Sequence, residues 1–209
     1  MPRSRTPDRI LGAALAMFNE FGEPNVTTNR IADELDISPG NLHYHFRTKQ
    51  DLIDTLFGQY ERRMLTLLSA NEGERTDIED TWFFLHLVFE TIADYRFLYR
   101  DLTELCERSP ALHRKMRAIL KLSMQTADLL MGGLVDTGGM KAGRRQRDSL
   151  MRNIILISSF WIAFDQILEP NHDPQPDRAV WQVMTLVSPY LLGEAKDQFD
   201  QLANAYFGP

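Results

Sequence analysis

The chain has 209 residues, of which 44% are hydrophobic and 25% are charged, and its formal net charge is -6. Such a length allows one large or two small domains, and the hydrophobic fraction is high enough to bury a core, which excludes an intrinsically disordered chain. The single cysteine, Cys106, excludes an intramolecular disulfide and predicts a reducing, cytoplasmic location.

The N-terminal segment places arginines before an apolar run from Ile10 to Phe18, an order that secretory signals share. The apolar residues recur at intervals of three and four as far as Phe21, and Gly22 follows as a C-cap. This pattern predicts an amphipathic first helix rather than a signal.

The stretch from Val26 to Lys49 predicts two short helices joined by a tight turn. Thr27 is a favourable N-cap for the first helix, and Ser38 followed by Pro39 favours the start of the second. The second helix turns Leu42 and Phe46 inward at a spacing of four. Its other faces carry residues that are unusual for a plain solvent surface: Asn41, His43, Tyr44 and His45.

A third helix begins after Thr48, which forms a capping-box pattern with Asp51. Lys49 lies in its first turn, where the helix dipole disfavours a cation. The sequence therefore predicts an anion close to Lys49.

Helix, short turn and helix together form the unit that presents its second helix to the major groove of DNA. From Thr27 to Leu52 the sequence reads T-x-x-x-I-A-x-x-L-x-I-S-x-G-x-L-x-Y-H-F-x-x-K-x-x-L. This run resembles the N-terminal domain of the tetracycline-repressor (TetR) family of bacterial transcriptional regulators. A second run, Y-R-F-L-Y-R-D-L from Tyr95 to Leu102, resembles a subgroup of that family.

The resemblance implies which residues face DNA. Asn41 and His43 are expected at base edges, although His43 stands where the family usually has tyrosine, so base preference does not transfer. Tyr44 is expected at phosphate, with core packing as the alternative. The basic residues Arg3 and Arg5 are either further phosphate contacts or a solvated tail. The full set of expected DNA-binding residues is Thr27, Thr28, Pro39, Gly40, Asn41, His43, Tyr44, His45 and Lys49.

The charge of this region is unusual for a DNA-binding domain. Residues 1–50 contain six Lys or Arg and six Asp or Glu, so the whole net charge of -6 lies in the other 159 residues. Binding is therefore expected to depend on local placement of cations and helix N-termini.

Beyond the third helix, which is expected to run from Asp51 to about Ala70, the pattern predicts further helices only. A break at residues 71–74 precedes a capping box of Thr76 with Glu79 and an apolar helix through Ile92. A long helix from Ala111 to about Leu134 is expected to end at the glycine pairs 132–133 and 138–139, before a mobile glycine-rich loop at 135–143. The final helix is expected to start at a cap, Asp177, and to bend at Pro189.

Residues 154–168 predict a helix that is apolar all round, since eleven of its fifteen residues are apolar. It is shorter than the roughly 20 residues that a membrane span needs, and Asp165 and Gln166 interrupt it. We expect one face to pack within the protomer and another to pack on a second copy. The residues expected at this dimer interface are Ile157, Trp161, Trp181, Met184 and Leu191.

The family resemblance also implies a small-molecule effector in the C-terminal half. Aromatic side chains are candidate walls for its cavity, and plain core packing is the alternative for each of them. The candidates are Trp82, Phe83, Phe89, Phe97, Tyr99, Trp161 and Phe164. Their apolar character favours a hydrophobic or aromatic effector.

Other chemistry finds little support in the sequence. No phosphate loop, nucleophile elbow or strand pattern is present, so we expect no enzyme, cofactor or metal. The His172-Asp173 pair lacks further metal ligands, and the arginine cluster 144–147 is more typical of a solvated helix start than of a second nucleic-acid patch.

These observations predict an all-α homodimeric repressor that binds double-stranded DNA. A three-helix helix-turn-helix domain occupies residues 1–50, a connecting helix residues 51–70, and a larger regulatory and dimerisation domain residues 71–209. The alternatives are a dimeric DNA-binding protein without an effector and, less favoured, an all-helical enzyme.

Overall fold

A computed structural model describes residues 6–70, 77–170 and 172–207, and the regular elements in these ranges are all helical. One isolated antiparallel bridge joins Met140 and Leu191. The predicted all-α class is confirmed. The predictions for Arg3 and Arg5, for the break at 71–74 and for the Thr76 capping box lie outside the described residues.

Eleven α-helices follow one another along the described chain. They are α1 (Thr6–Phe21), α2 (Thr28–Glu34), α3 (Pro39–His45), α4 (Lys49–Ser69), α5 (Ile78–Asp94), α6 (Arg96–Arg100), α7 (Leu102–Arg108), α8 (Pro110–Asp136), α9 (Arg144–Leu168), α10 (Pro176–Val187) and α11 (Gly193–Phe207). Two short 3-10 turns, Glu23–Asn25 and Ser188–Tyr190, follow α1 and α10.

The helices pack as two compact units. One contains the described residues up to Arg63 together with Asp94–Met116, and the other contains the remaining described residues. The chain crosses between the units inside α4, before the last residue of α5 and again inside α8. The functional division at residues 50 and 70 stays a prediction.

The core of the first unit forms where α1 meets α2 and α6. Ile10, Ala14 and Phe18 of α1 are fully buried, as their spacing predicted. Phe18 packs on Phe97 of α6 with ring centroids 5.3 Å apart. Gly22 ends α1 with a φ of 82°, and its N–H bonds to the Phe18 carbonyl at 3.0 Å, which confirms the predicted C-cap.

The second unit is built around the packing of α9 on α10. Trp161 of α9 meets Phe89 of α5 edge to face, with centroids 5.8 Å apart. Trp181 of α10 stacks on Phe199 of α11 at 5.8 Å with an interplanar angle of 11°. Aromatic contacts thus join α5 to α9 and α10 to α11.

The C-terminal end of the chain differs from the predicted single bent helix. Pro189 ends α10 instead of bending it, because α10 stops at Val187 and a 3-10 turn follows. A further helix, α11, begins at Gly193, which has a φ of 51°. Asp177 lies in the first turn of α10, and Gln175 is the N-cap residue, without a side-chain hydrogen bond.

The glycine pair 132–133 also fails to end its helix, since α8 continues to Asp136. Leu130, Met131 and Leu134 beside the pair are buried, and this packing outweighs the cost of about 1 kcal/mol per glycine in a helix. The loop that follows is tied down by a 2.8 Å bond from the Lys141 N–H to the Tyr190 carbonyl.

The two long helices α8 and α9 also meet a length and composition criterion for membrane spans. Each contains an 18-residue window of mean hydropathy 1.2, of which 22% and 28% is buried inside the protein. Helix α9 has 25 residues and so begins ten residues before the apolar run 154–168 that the sequence indicated. Length and composition alone are weak support for a membrane span.

Candidate nucleic-acid interface

The second and third helices have the local geometry that the capping residues predicted. Thr27 Oγ1 accepts a hydrogen bond from the Arg30 N–H at 3.2 Å, and Ser38 Oγ accepts one from the Asn41 N–H at 3.2 Å. Between the helices, Asp36 adopts a left-handed conformation with a φ of 54°, which a short polar side chain tolerates. These contacts fix where α3 begins.

The orientation of α3 follows from its two apolar anchors. Leu42 is fully buried and Phe46 is 9% exposed, so one face of α3 packs inward. Tyr44, in contrast, is 84% exposed, which rules out core packing for this side chain. Its ring lies edge-on to that of His45, with centroids 5.1 Å apart.

The predicted DNA-facing residues divide by exposure. Thr28, His45 and Lys49 are half-buried. The imidazole Nδ1 of His43 lies 3.2 Å from the Arg47 carbonyl oxygen, which leaves Nε2 as the outer nitrogen. The remaining residues of the set are exposed: Thr27, Pro39, Gly40, Asn41, His43 and Tyr44.

The start of α4 carries the predicted reciprocal cap. The Thr48 N–H donates to Asp51 Oδ2 at 2.9 Å, and the Asp51 N–H donates to Thr48 Oγ1 at 3.1 Å. The anion expected beside Lys49 is also present, but it belongs to the protein. Lys49 Nζ lies 2.8 Å from a carboxylate oxygen of Glu23. A phosphate at Lys49 would have to share this lysine or displace Glu23.

The sequence did not predict that Asn19 of the first unit is buried or which groups it bonds to. Asn19 is 7% exposed, donates from Nδ2 to the Asp94 carbonyl at 2.7 Å and accepts at Oδ1 from the Phe97 N–H at 3.1 Å. Arg100 donates to the Asn19 carbonyl at 3.0 Å, and beside it burial raises the pKa of Asp101 while Arg100 opposes the rise. The partners of Asn19 lie 75 to 81 residues away in the sequence, so no local pattern indicates these hydrogen bonds.

A buried tyrosine pair joins α4 and α6 in the same unit. The hydroxyl groups of Tyr60 and Tyr99 form a short hydrogen bond. Burial raises the pKa of both phenols, and for Tyr60 the neighbouring Tyr99 raises it further. Both side chains are therefore neutral in the folded protein at ordinary pH.

An exposed apolar face runs along α9. Its residues recur at intervals of three and four, and they remain more than 40% exposed. We call this set the α9 apolar face; it consists of Leu156, Phe160, Phe164, Ile167 and Leu168. Beside it, α9 and α10 border an open groove of about 760 Å³.

None of the five residues expected at a dimer interface belongs to the α9 apolar face. Trp161, Met184 and Leu191 are 6%, 1% and 4% exposed, so they pack within the protomer and offer little surface to a partner. Ile157 and Trp181 are half-buried and border the groove. Helical periodicity identified the helix correctly but not which of its faces points outward.

The candidate effector-site residues do not gather around one of the described cavities. Phe97 and Tyr99 belong to the first unit, and the other five belong to the second. Trp161 and Phe164 line the α9–α10 groove, and Phe83 is 65% exposed. A second cavity, of about 360 Å³, lies where α5 and α11 begin and contains none of the seven.

Two protein-family models match successive parts of the chain. Residues 10–56 match the model described as "Bacterial regulatory proteins, tetR family", and residues 59–199 match the model described as "Bacterial transcriptional repressor". The class A tetracycline repressor of transposon 1721 from Escherichia coli is 38% identical over 50 residues, 24% of this chain and 23% of that protein. The repressor KstR2 of Mycolicibacterium smegmatis is 35% identical over 79 residues, 34% of this chain and 38% of that protein. These matches span well under half of either relative.

Solved structures extend the similarity over the whole chain. A TetR-family regulator from Marinobacter aquaeolei superposes with a TM-score of 0.87 and 35% identity, covering 97% of this chain and 99% of that one. The ketosteroid regulator KstR2 of Mycobacterium tuberculosis shares the fold, with a TM-score of 0.70, 18% identity and coverage of 92% and 98%. The subgroup suggested by Tyr95–Leu102 stays a prediction. Two family models and a full-length structural relative agree that the chain belongs to the TetR family of bacterial transcriptional regulators, which are soluble DNA-binding proteins.

Proposed function

We propose that the protein is a cytoplasmic homodimeric repressor whose two α3 helices enter successive major grooves of a pseudo-palindromic operator. The observation that carries the proposal is the exposed face of α3. Tyr44, His43 and Asn41 project from a helix whose other face is anchored by Leu42 and Phe46. An exposed tyrosine of this kind has little to stabilise in the free protomer, which favours a role in a complex.

Each residue of this face has a chemical role in the proposal. The Asn41 amide can donate to and accept from an adenine edge, and the outer nitrogen of His43 can meet a base edge. Thr27 and Tyr44 supply hydroxyl groups that can bind phosphate. Asn41 and His43 would read the DNA sequence, and Thr27 and Tyr44 would fix the register of α3 on the duplex.

The α9 apolar face supports the dimer. Five large apolar side chains exposed on one helix are more than a monomeric protein usually leaves in water. A two-fold interface buries the same surface on both copies, so a single face is sufficient. To read adjacent half-sites, the two α3 helices of the dimer would have to lie about 34 Å apart, which is one helical turn of DNA.

The effector site is proposed for the second unit. Trp82 and Trp161 are buried there, and their indole N–H groups have no hydrogen-bond acceptor among the described residues. An effector that is mainly apolar or aromatic and carries an oxygen acceptor would satisfy such a donor. If the effector binds more tightly to dimers whose α3 spacing does not match the operator, it shifts the population to that spacing and releases the DNA.

Selection from random duplexes tests the DNA-binding proposal. The wild-type dimer is expected to enrich a palindromic sequence, and Tyr44→Ala and His43→Ala are expected to weaken binding to it. Phe83→Ala is the matched control, because Phe83 is also exposed, at 65%, but lies on α5. Failure of wild type to enrich any sequence, or equal binding by Tyr44→Ala, would refute the proposal.

A thermal-shift screen tests the effector proposal separately. Apolar and aromatic compounds with a carbonyl group are expected to raise the melting temperature and to release the enriched duplex. Compounds of the same size without an oxygen serve as the comparison. If stabilising compounds leave DNA binding unchanged, the site does not regulate the operator.

A further inference from the structure

Glu23 is a carboxylate buried in the turn that follows α1. Its side chain is 2% exposed and forms two ion pairs of 2.8 Å, from Oε1 to Lys49 Nζ and from Oε2 to Arg108 Nη2. Its backbone carbonyl accepts another hydrogen bond from Lys49 Nζ at 2.6 Å. Each carboxylate oxygen therefore holds a cation from a different helix.

Lys49 brings the start of α4 to this carboxylate. It is the first residue of α4, and residues 46–48 connect it to α3. The N-terminus of a helix disfavours a cation and favours an anion, so Glu23 compensates for Lys49 at this position. Through this short connection, the ion pair also limits where α3 can lie.

Arg108 brings a distant part of the chain to the same point. It is the last residue of α7, where the helix dipole favours a cation, and it lies 85 residues from Glu23 in sequence. Its second acidic partner, Glu104, lies 3.5 Å away on its own helix. Glu23 thus links α7 to the start of α4, which follows the helix-turn-helix.

We propose that Glu23 is a positioning residue for sequence-specific DNA binding. Its carboxylate holds α3 in place through Lys49 and Arg108, and it neutralises a lysine that would otherwise bind any nearby phosphate. An unpaired cation beside α3 strengthens binding to every duplex, because counterion release carries no sequence information. The inference rests on the proposed DNA-binding role of α3.

The substitution Glu23→Gln removes the charge and keeps the size of the side chain. Its affinity for the duplex enriched by wild type is expected to fall about tenfold, because the loss of α3 positioning outweighs the gain from the freed positive charge. Its affinity for a random duplex is expected to stay the same or to rise, because Lys49 and Arg108 lose the negative charge of Glu23. Both affinities are measured at two salt concentrations, at a temperature where circular dichroism shows the folded state.

A second variant guards against misfolding of the first. Arg108 is 40% exposed, so Arg108→Gln leaves a smaller disturbance, and it is expected to lower the ratio of specific to non-specific affinity in the same direction. The double variant is expected to be no less specific than Glu23→Gln alone, because both changes remove one interaction. Glu61→Gln is the control: it breaks a 2.7 Å ion pair to Lys115 in the same unit and should leave the ratio unchanged.

The outcomes separate positioning from stability. An equal loss of affinity for both duplexes would mean that Glu23 only stabilises the fold, and the inference would be overturned. An unchanged ratio in Glu23→Gln and Arg108→Gln would overturn it as well. If wild type enriches no duplex, the proposed function itself fails. If wild type is selective and the variants are equally selective, only the inference about Glu23 fails.

Discussion

The side-chain carbonyl of Asn19 accepts a hydrogen bond from the backbone N–H of Phe97, 3.1 Å away, so a residue of α1 serves the first turn of α6. The same amide donates to the Asp94 carbonyl at the end of α5 at 2.7 Å. N–H groups at the start of a helix have no partner inside it, and this one is buried. Asn19 therefore acts as a cap supplied from a distant part of the sequence.

Asn19→Ala is expected to lower the free energy of unfolding by about 1–3 kcal/mol, because it leaves the buried Phe97 N–H and the part-buried Asp94 carbonyl without this partner. Urea unfolding followed by circular dichroism measures the change. Asn25→Ala is the control, since the Asn25 side chain bonds to the Phe21 carbonyl at an exposed site, and it should cost much less. Equal costs would contradict the assigned role of Asn19.

Two glycines of the first unit are expected to respond oppositely to alanine. Gly22→Ala should destabilise by about 1–2 kcal/mol, because Gly22 has a φ of 82° and a new Cβ would lie 3.4 Å from Arg100. Gly12→Ala should stabilise by about 0.5–1 kcal/mol, since Gly12 lies inside α1 with open space at its Cβ position. Melting temperatures of the two variants provide the comparison.

The hydroxyl groups of Tyr60 and Tyr99 are each other's partners. Tyr60→Phe or Tyr99→Phe alone should cost about 1–3 kcal/mol, because a buried hydroxyl is left without its partner. The double variant should cost less than the sum of the single changes. A double-mutant cycle by urea unfolding measures this coupling, and strict additivity would argue against it.

The same pair predicts how stability changes in alkaline solution. Burial raises the pKa of both phenols, so the folded state keeps their protons while the unfolded chain loses them above the ordinary tyrosine pKa of about 10. The folded state then binds more protons than the unfolded state, and stability falls as the pH rises above about 10. The free energy of unfolding is measured from urea curves at several pH values on either side of about 10, the ordinary pKa of tyrosine. Between about pH 9 and 11 it should fall less steeply in the double Phe variant than in wild type.

A charge on the α9 apolar face should prevent dimerisation. Phe164→Glu places a carboxylate where the proposed interface is dry, and a buried unpaired charge is strongly unfavourable. Sedimentation of wild type should give about twice 24.1 kDa, and the variant should give the protomer mass. Phe83→Glu is the matched control, because Phe83 and Phe164 are 65% and 61% exposed, and it should remain dimeric.

Local chemistry explains why so much of the N-terminal region was predictable. Thr27, Ser38 and Thr48 each bond to a backbone N–H three residues ahead, so their partners are readable in a short window of sequence. The buried spacing of Leu42 and Phe46 left Asn41, His43 and Tyr44 on the remaining faces of the helix, with core packing as the alternative for Tyr44. All three are exposed in the structure.

Long-range packing explains the differences. The ion pair between Glu23 and Arg108 joins residues 85 positions apart, and no periodicity marks either of them. Gly132 and Gly133 carry a helix-ending signal that neighbouring buried side chains override. The sequence predicted a disturbance of the last helix at Pro189 and interpreted it as a bend. In the structure α10 ends at Val187, two residues before this proline.

The α9 apolar face has a consequence for how gene control depends on the amount of protein. An operator read by two α3 helices is occupied by a pair of chains, so below the dissociation constant of the pair its occupancy rises with the square of the protomer concentration. Small differences in synthesis or degradation are then amplified at the promoter. The five side chains of the α9 apolar face would thereby set how sharply repression begins as the protein accumulates.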